Sequence, residues 1–168
     1  ERPIIFSGQS VQAILAGRKS MTRRVVKPQP PAKWDKCETV TNDASSVIAW
    51  MFHSSADRYD YGYKKPTYRI GDLAWVRETW SYITLAQNER LPGDKGDTRL
   101  NLPVRMLYKA DADAEGWQIG GRWSPSIFMP HWASRIMLLI TDVRVERLQD
   151  ITEADAQAEG VIPSCLYS

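Results

Sequence analysis

Ser7-Gly8-Gln9-Ser10-Val11-Gln12-Ala13-Ile14-Leu15-Ala16-Gly17 runs directly into Arg18-Lys19-Ser20-Met21-Thr22-Arg23-Arg24. Val11, Ile14 and Leu15 recur at i, i+3 and i+4, the spacing of one apolar helix face. Ser7 is suited to accept from the first free backbone N–H groups. Gly17 stands where a left-handed residue ends a helix. The junction therefore predicts a short amphipathic helix that stops at a glycine and delivers the chain into a basic segment, with Val25 and Val26 as a following strand.

Outward from this point the chain reads mainly as strands. Residues 27–46 are proline-rich and polar (Pro28, Pro30, Pro31), and residues 53–68 are tyrosine-rich (Tyr59, Tyr61, Tyr63, Tyr68). The whole of 27–68 is expected to be an irregular insertion on a smaller core, with a short strand at 47–52. Leu73-Ala74-Trp75-Val76-Arg77-Glu78-Thr79-Trp80 alternates as a strand, with Ala74, Val76, Glu78 and Trp80 on one side. Residues 86–104 read as a polar loop, 106–110 as a strand and 111–126 as turns. The period-two pattern is longest over 133–148, where a bend near Thr141-Asp142 is expected. Thr152 caps a last helix over 153–159, and Gly160 ends it. Consecutive strands without regular βα alternation predict an α+β fold, with a mostly antiparallel, partly closed sheet in a single domain over 1–168.

The 168 residues are 43% apolar and 25% charged, which excludes a wholly disordered chain. No apolar run approaches the ~18 residues of a membrane span. No basic segment followed by an apolar stretch marks a secretory leader, and a cytoplasmic location is expected. Cys37 and Cys165 lie far apart and read as free thiols; with only His53 and His131 beside them, no metal site is expected. Net charge is +2, but residues 1–40 hold eight Lys/Arg against three Asp/Glu, whereas 141–168 hold two against six. A basic N-terminal part suits an anionic ligand such as a nucleotide or RNA phosphate. Mutual neutralisation of the two chain ends is the alternative.

Several groups are candidates for chemistry. Lys19 and Thr22 would converge if the chain kinks after Gly17, and a lysine near a hydroxyl acts as its base or lowers its pKa by charge. A solvated basic edge strand explains the same residues. Glu159 at a helix C-terminus faces the negative end of the dipole, an unfavourable place that suggests either a function or a solvated helix end. Among seven tryptophans, Trp75 is a candidate to stack on a base or to sit in the core. Glu78 would accept from a cytosine amino group or form a cross-strand ion pair. There is no phosphate-binding glycine loop, dinucleotide fingerprint, zinc-protease motif or serine-hydrolase elbow, so no cofactor is implied.

Gly17-Arg18-Lys19-x-x-Thr22-x-Arg24 after a short amphipathic helix resembles the signature of the ASCH domain, a member of the PUA-like superfamily. The likeness continues in Gly71-Asp72 before a strand and in Ile151-Thr152-Glu153-Ala154-Asp155-Ala156-Gln157-Ala158-Glu159. Thr22-Arg23-Arg24-Val25-Val26-Lys27-Pro28-Gln29-Pro30, Trp75-Val76-Arg77-Glu78-Thr79-Trp80 and Met129-Pro130-His131-Trp132-Ala133-Ser134-Arg135 are similar to ASCH-containing proteins of bacteriophages and prophages.

The resemblance implies a small β-barrel with flanking short helices and a cleft for a nucleobase or RNA. It further implies an amidohydrolase that removes the acyl group of N4-acetylcytidine or a related modified pyrimidine, with Lys19, Thr22 and Glu159 as catalytic residues. Thr22 would attack the acetyl carbonyl with Lys19 as base, Glu159 would orient Lys19 or relay a proton, and Arg24 would stabilise the oxyanion. Trp75 and Glu78 are the further candidates for substrate binding. The expected partner is a modified nucleoside or RNA, with no membrane and no metal. The alternatives are a module that binds RNA or a modified base without turnover and a ribonuclease, for which His131 is the one histidine in an expected loop.

Overall fold

The computed structural model describes residues 1–42, 47–57, 59–84, 95–97 and 102–161. In chain order the elements are β1 (Arg2–Ile5), α1 (Gly8–Leu15), β2 (Lys36–Thr41), β3 (Val47–His53), β4 (Tyr61–Lys64), β5 (Leu73–Arg77), β6 (Trp80–Thr84), β7 (Lys95–Asp97), β8 (Leu102–Tyr108), α2 (Lys109–Glu115), β9 (Met137–Leu139) and α3 (Glu153–Ala158). Single 3-10 turns occupy Ser126–Phe128, His131–Ala133 and Leu148–Asp150. The fold is mixed α+β. Its three sheets, ordered β1-β5-β9, β2-β3-β4 and β6-β8-β7, have three strands each and are open, so no closed barrel is formed among the described residues.

The chain divides into two compact units, residues 1–20 with 74–138, and residues 21–73 with 139–168. In the first unit β1 pairs with β5 in parallel, from Arg2 opposite Ala74 to Ile5 opposite Arg77. The pairs β2-β3, β3-β4, β6-β8 and β7-β8 are antiparallel, in keeping with a mostly antiparallel pattern, and for this parallel pair the long excursion between the two strands supplies the crossover that it requires. β6 and β7 both pair antiparallel with β8. Ile4, Phe6, Val11, Ala13, Ala74, Val76, Trp80, Ala110, Ala112, Met129 and Ala133 are buried in this unit.

Helix α1 forms as its sequence predicts. Ser7 Oγ accepts from the Ser10 N–H, and Gly17 is left-handed at φ 69°. Its buried face differs, however: Val11 and Ala13 are buried, whereas Leu15 is half exposed. The reason is α2, whose Ala110 backbone carbonyl accepts from Gln12 Nε2 at 2.8 Å. Ala110 lies against Gly8, so small residues bring the two helices close. The expected turns over 111–126 thus begin with a helix. Alanines alternate with aspartates in it; Ala110 and Ala112 are buried, and Gly116 closes the helix at φ 75°.

The second unit corrects the expectation for 27–68. That stretch contains an antiparallel sheet, β2 against β3 from Lys36 opposite His53, and β3 against β4 from Trp50 opposite Lys64. Trp50 and Phe52 are buried on one side of it, and the Trp34 ring closes over Gly62 on β4. Prolines suggested irregularity, but all three precede β2. Val25 and Val26 form no strand. Val25 is 70% exposed, and the Val26 carbonyl accepts instead from Gln29 Nε2.

The long strand over 133–148 shrinks to β9. Ala133 belongs to a 3-10 turn, its N–H donating to the Pro130 carbonyl. Beyond β9, Val143 and Val145 still lie deeper than Arg144 and Glu146, and the alternation slips at Thr141-Asp142, both exposed. Period two reports an extended, half-covered chain and does not by itself supply a neighbouring strand.

A Cβ at Gly62 would stand 2.7 Å from Cζ3 of Trp34 and closer to Cη2. The indole is anchored by its Nε1–H donating to Asp60 Oδ1 at 2.9 Å. Gly62→Ala is therefore expected to destabilise the second unit by about 1–3 kcal/mol, the usual cost of overpacking. A lowered urea midpoint with an unchanged slope would be the readout.

Candidate functional site

Within the second unit, two segments far apart in sequence meet. The Met21 N–H donates to the Ala158 carbonyl at 3.0 Å, which ties the start of the basic segment to the end of α3. Helix α3 begins as predicted, with a capping box. Asp155 N–H donates to Thr152 Oγ1 at 3.2 Å, and Asp155 Oδ2 accepts from the Thr152 backbone N–H at 3.2 Å. Glu159 is the C-cap residue, followed by left-handed Gly160 at φ 86°.

Arg23 joins these segments through its guanidinium. It contacts Glu159 Oε1 at 3.0 Å, Glu146 Oε2 at 3.0 Å and Asp155 Oδ2 at 3.3 Å. Arg144 adds a pair to Asp155 Oδ1 at 2.7 Å and another to Glu146. Two guanidinium groups thus serve three carboxylates. This answers the unfavourable position of Glu159 at a helix C-terminus, because an adjacent cation offsets the dipole. The hydrogen bonds from Thr152 and the Arg144 cation hold the Asp155 carboxyl below the usual aspartate range.

Thr22 and Arg24 belong to the same unit. Arg24 donates from one guanidinium nitrogen to Thr22 Oγ1 at 2.9 Å and to the Arg23 carbonyl at 3.0 Å. A cation on the hydroxyl oxygen stabilises its deprotonated form. The structure thus brings Thr22 and Arg24 into contact, and brings Glu159 to Arg23, the residue between them in sequence. Sequence reasoning did not single out Arg23, Arg144 or Glu146 for the site, and it read Asp155 only as the acid of the Thr152 cap. The available signal was the alternation of opposite charges at Arg144 and Glu146 beside the capping box.

Lys19, Trp75 and Glu78 belong to the first unit. Lys19 Nζ lies over the Phe6 ring, 5.8 Å from its centroid. Trp75 is buried at 7% exposure, meets the His131 ring edge-on at 5.0 Å between centroids and carries the Arg77 guanidinium 4.6 Å from its own. Its surroundings are those of a core residue. Of the two readings of Glu78, the ion pair is present. Glu78 Oε1 accepts from Arg135 Nε at 2.8 Å and Oε2 from Arg135 at 3.0 Å, and the residue is 1% exposed.

Asp111 takes the other edge of the same guanidinium at 2.6 and 2.9 Å. Tyr108 lies under it at 3.9 Å and donates its hydroxyl to the Ala133 carbonyl at 2.9 Å. Burial raises the Glu78 carboxyl, partly offset by Arg135, and pushes the Tyr108 hydroxyl up to about 12.

His131 is exposed and contacts Glu1 Oε2 at 3.2 Å. Cys37 is a free, exposed thiol, and Cys165 lies outside the described residues. Among the described residues no three His, Cys, Asp or Glu side chains converge to hold a metal ion, and no helix is long and apolar enough to cross a membrane. In comparisons with known proteins no family model, no curated protein and no solved structure matches the chain.

Two outcomes are expected. Removing one partner from a buried ion pair leaves the other charge uncompensated, so Glu78→Ala should cost about 3 kcal/mol in urea unfolding. The folded-state pKa of Asp155 is depressed, so its contribution is complete above the unfolded value of roughly 3.9 and is lost as pH falls through the folded value. Asp155→Asn should therefore flatten the stability–pH curve on the acid side, below about pH 4, in pH-dependent urea titrations.

Proposed function

We propose that the chain is an ASCH-type amidohydrolase that removes the acyl group from N4-acetylcytidine or a closely related acylated pyrimidine, with a PUA-like barrel as the architecture. The observation that supports this reading most is the meeting of Thr22 and Glu159 segments within one compact unit, through the Met21–Ala158 hydrogen bond and the Arg23–Glu159 pair. These residues stand 137 positions apart in the sequence, and both are members of the expected catalytic set.

In this reading Thr22 Oγ attacks the acetyl carbon and its proton passes to Lys19. Lys19 follows the end of α1 and precedes Thr22 by three residues in the chain. Collapse of the tetrahedral intermediate releases cytidine, whose N4 takes the proton. Water then hydrolyses the threonyl ester to acetate and restores the hydroxyl. The Arg24 hydrogen bond to Thr22 supports activation of that hydroxyl, and the same guanidinium is suited to an oxyanion. Glu159, paired with Arg23, is the anchored carboxylate of this set.

The test is incubation of the purified protein with N4-acetylcytidine, followed by chromatography for cytidine and acetate. Thr22→Ala and Lys19→Ala are each expected to lower kcat by at least about 100-fold. Unfolding midpoints near that of the unsubstituted chain would separate this loss from misfolding. Substrate binding without turnover would replace the hydrolase by a base-binding module, and no binding would remove this substrate class.

A further inference from the structure

The tyrosine-rich stretch has no part in the hydrolase reading, and its placement carries a separate inference. Strand β4 sits at the edge of the β2-β3-β4 sheet, and its residues alternate between the two faces. Register puts Lys36, His53 and Tyr61 in one cross-strand row, and Glu38, Met51 and Tyr63 in the next. The opposite face carries buried Trp50 and Phe52, with Trp34 against Gly62; on the tyrosine face Ala49 is buried and Met51 and His53 are half-buried, so the exposed part is the end that bears Tyr61 and Tyr63.

The outer face of an antiparallel sheet is ordinarily polar. Here Tyr61 is 48% exposed and Tyr63 56% exposed, and the two rings meet edge to face at 5.5 Å. Tyr59, just before the strand, is 92% exposed. Lys36, across β3 from Tyr61, and Lys65, two residues beyond Tyr63, are both exposed.

We propose that this outer face binds single-stranded nucleic acid, with bases stacking on Tyr61 and Tyr63 and phosphates meeting Lys36 and Lys65. Aromatic rings displayed on an antiparallel sheet and flanked by cations are suited to unpaired bases, because every base offers a π-face to a ring. Charge complementarity favours this occupant. Residues 27–69 hold seven Lys/Arg against five Asp/Glu. Glu38, the carboxylate of the two rows, already contacts His53 Nε2 at 3.2 Å, and Asp60 is paired with Lys33 at 2.7 Å. Lys36 and Lys65 form no ion pair among the described residues. Phenol hydroxyls and lysines around the rings suit a ribose–phosphate chain better than an apolar protein surface.

The experiment is fluorescence anisotropy of the whole chain with labelled oligouridylate, in parallel with oligothymidylate and with a duplex of equal length. None of these probes carries an acyl group, so the result is independent of the hydrolase reading. Both single strands are expected to bind more tightly than the duplex. Tyr61→Ala with Tyr63→Ala should weaken binding by at least about tenfold, whereas Tyr61→Phe with Tyr63→Phe should stay within about twofold, because the rings remain. Lys36→Gln with Lys65→Gln should reduce the slope of log affinity against log salt by about 1.4. No binding of the single strands at physiological salt, equal binding by the double alanine variant, an equal loss in the double phenylalanine variant, or a preference for duplex would each overturn the proposal.

Discussion

A carboxylate sealed from water must be neutralised or matched, and in the first compact unit that requirement falls on Glu78. Desolvating an ionised group costs several kcal/mol unless a cation and hydrogen bonds replace the solvent. Arg135 meets the requirement with two nearly parallel donors, and its remaining edge is taken by Asp111 in α2. One guanidinium therefore binds the end of β5, the first turn of α2 and the chain leading into β9. Tyr108 closes the cation from below, and its hydroxyl fixes the 3-10 turn at Ala133. Helix α2 then offers Ala110 and Ala112 to the unit's core.

The second unit solves a different problem. Its ionic groups are partly exposed and screened by solvent, so no single pair carries much of its stability. Their value lies in connectivity. Arg23 and Arg144 hold Glu146, Asp155 and Glu159 in one array, and the backbone bond from Met21 to Ala158 sets the two segments side by side. The sheet at 36–64 is stabilised more conventionally, by Trp50 and Phe52 on its covered face and by an indole laid over a glycine. On the other face the β4 tyrosines are exposed, while Ala49 of β3 is buried.

Local signals were legible wherever the backbone itself makes the decision. Ser7, Gly17, Thr152, Asp155 and Gly160 act through hydrogen bonds or dihedral angles within a few residues, and each behaves as its type and position predict. The alternation of 73–80 held in part: Ala74, Val76, Glu78 and Trp80 are buried as expected, but Trp75 on the other side is buried as well, and the single strand expected there breaks after Arg77 into β5 and β6 of two different sheets. Helix α2 was missed because aspartate favours turns in isolation. Its burial against α1 and the left-handed Gly116 outweigh that preference. The long alternation over 133–148 misled because exposure pattern and strand pairing are separate properties.

The candidate residues divide along the same line. The sequence by itself determined the mixed α+β character, the caps of α1 and α3, the basic segment from Arg18 to Arg24 that holds Thr22, and the place of Glu159 at a helix end, since these follow from residue type and short-range spacing. Only the tertiary structure decided that Glu78 is committed to Arg135, that Trp75 is buried beside His131, that Arg23 is the link to Glu159, and that 36–64 forms a sheet with tyrosines on its open face. Each of those outcomes depends on a partner distant in the chain, and neither charge pairing nor burial is defined until that partner has arrived.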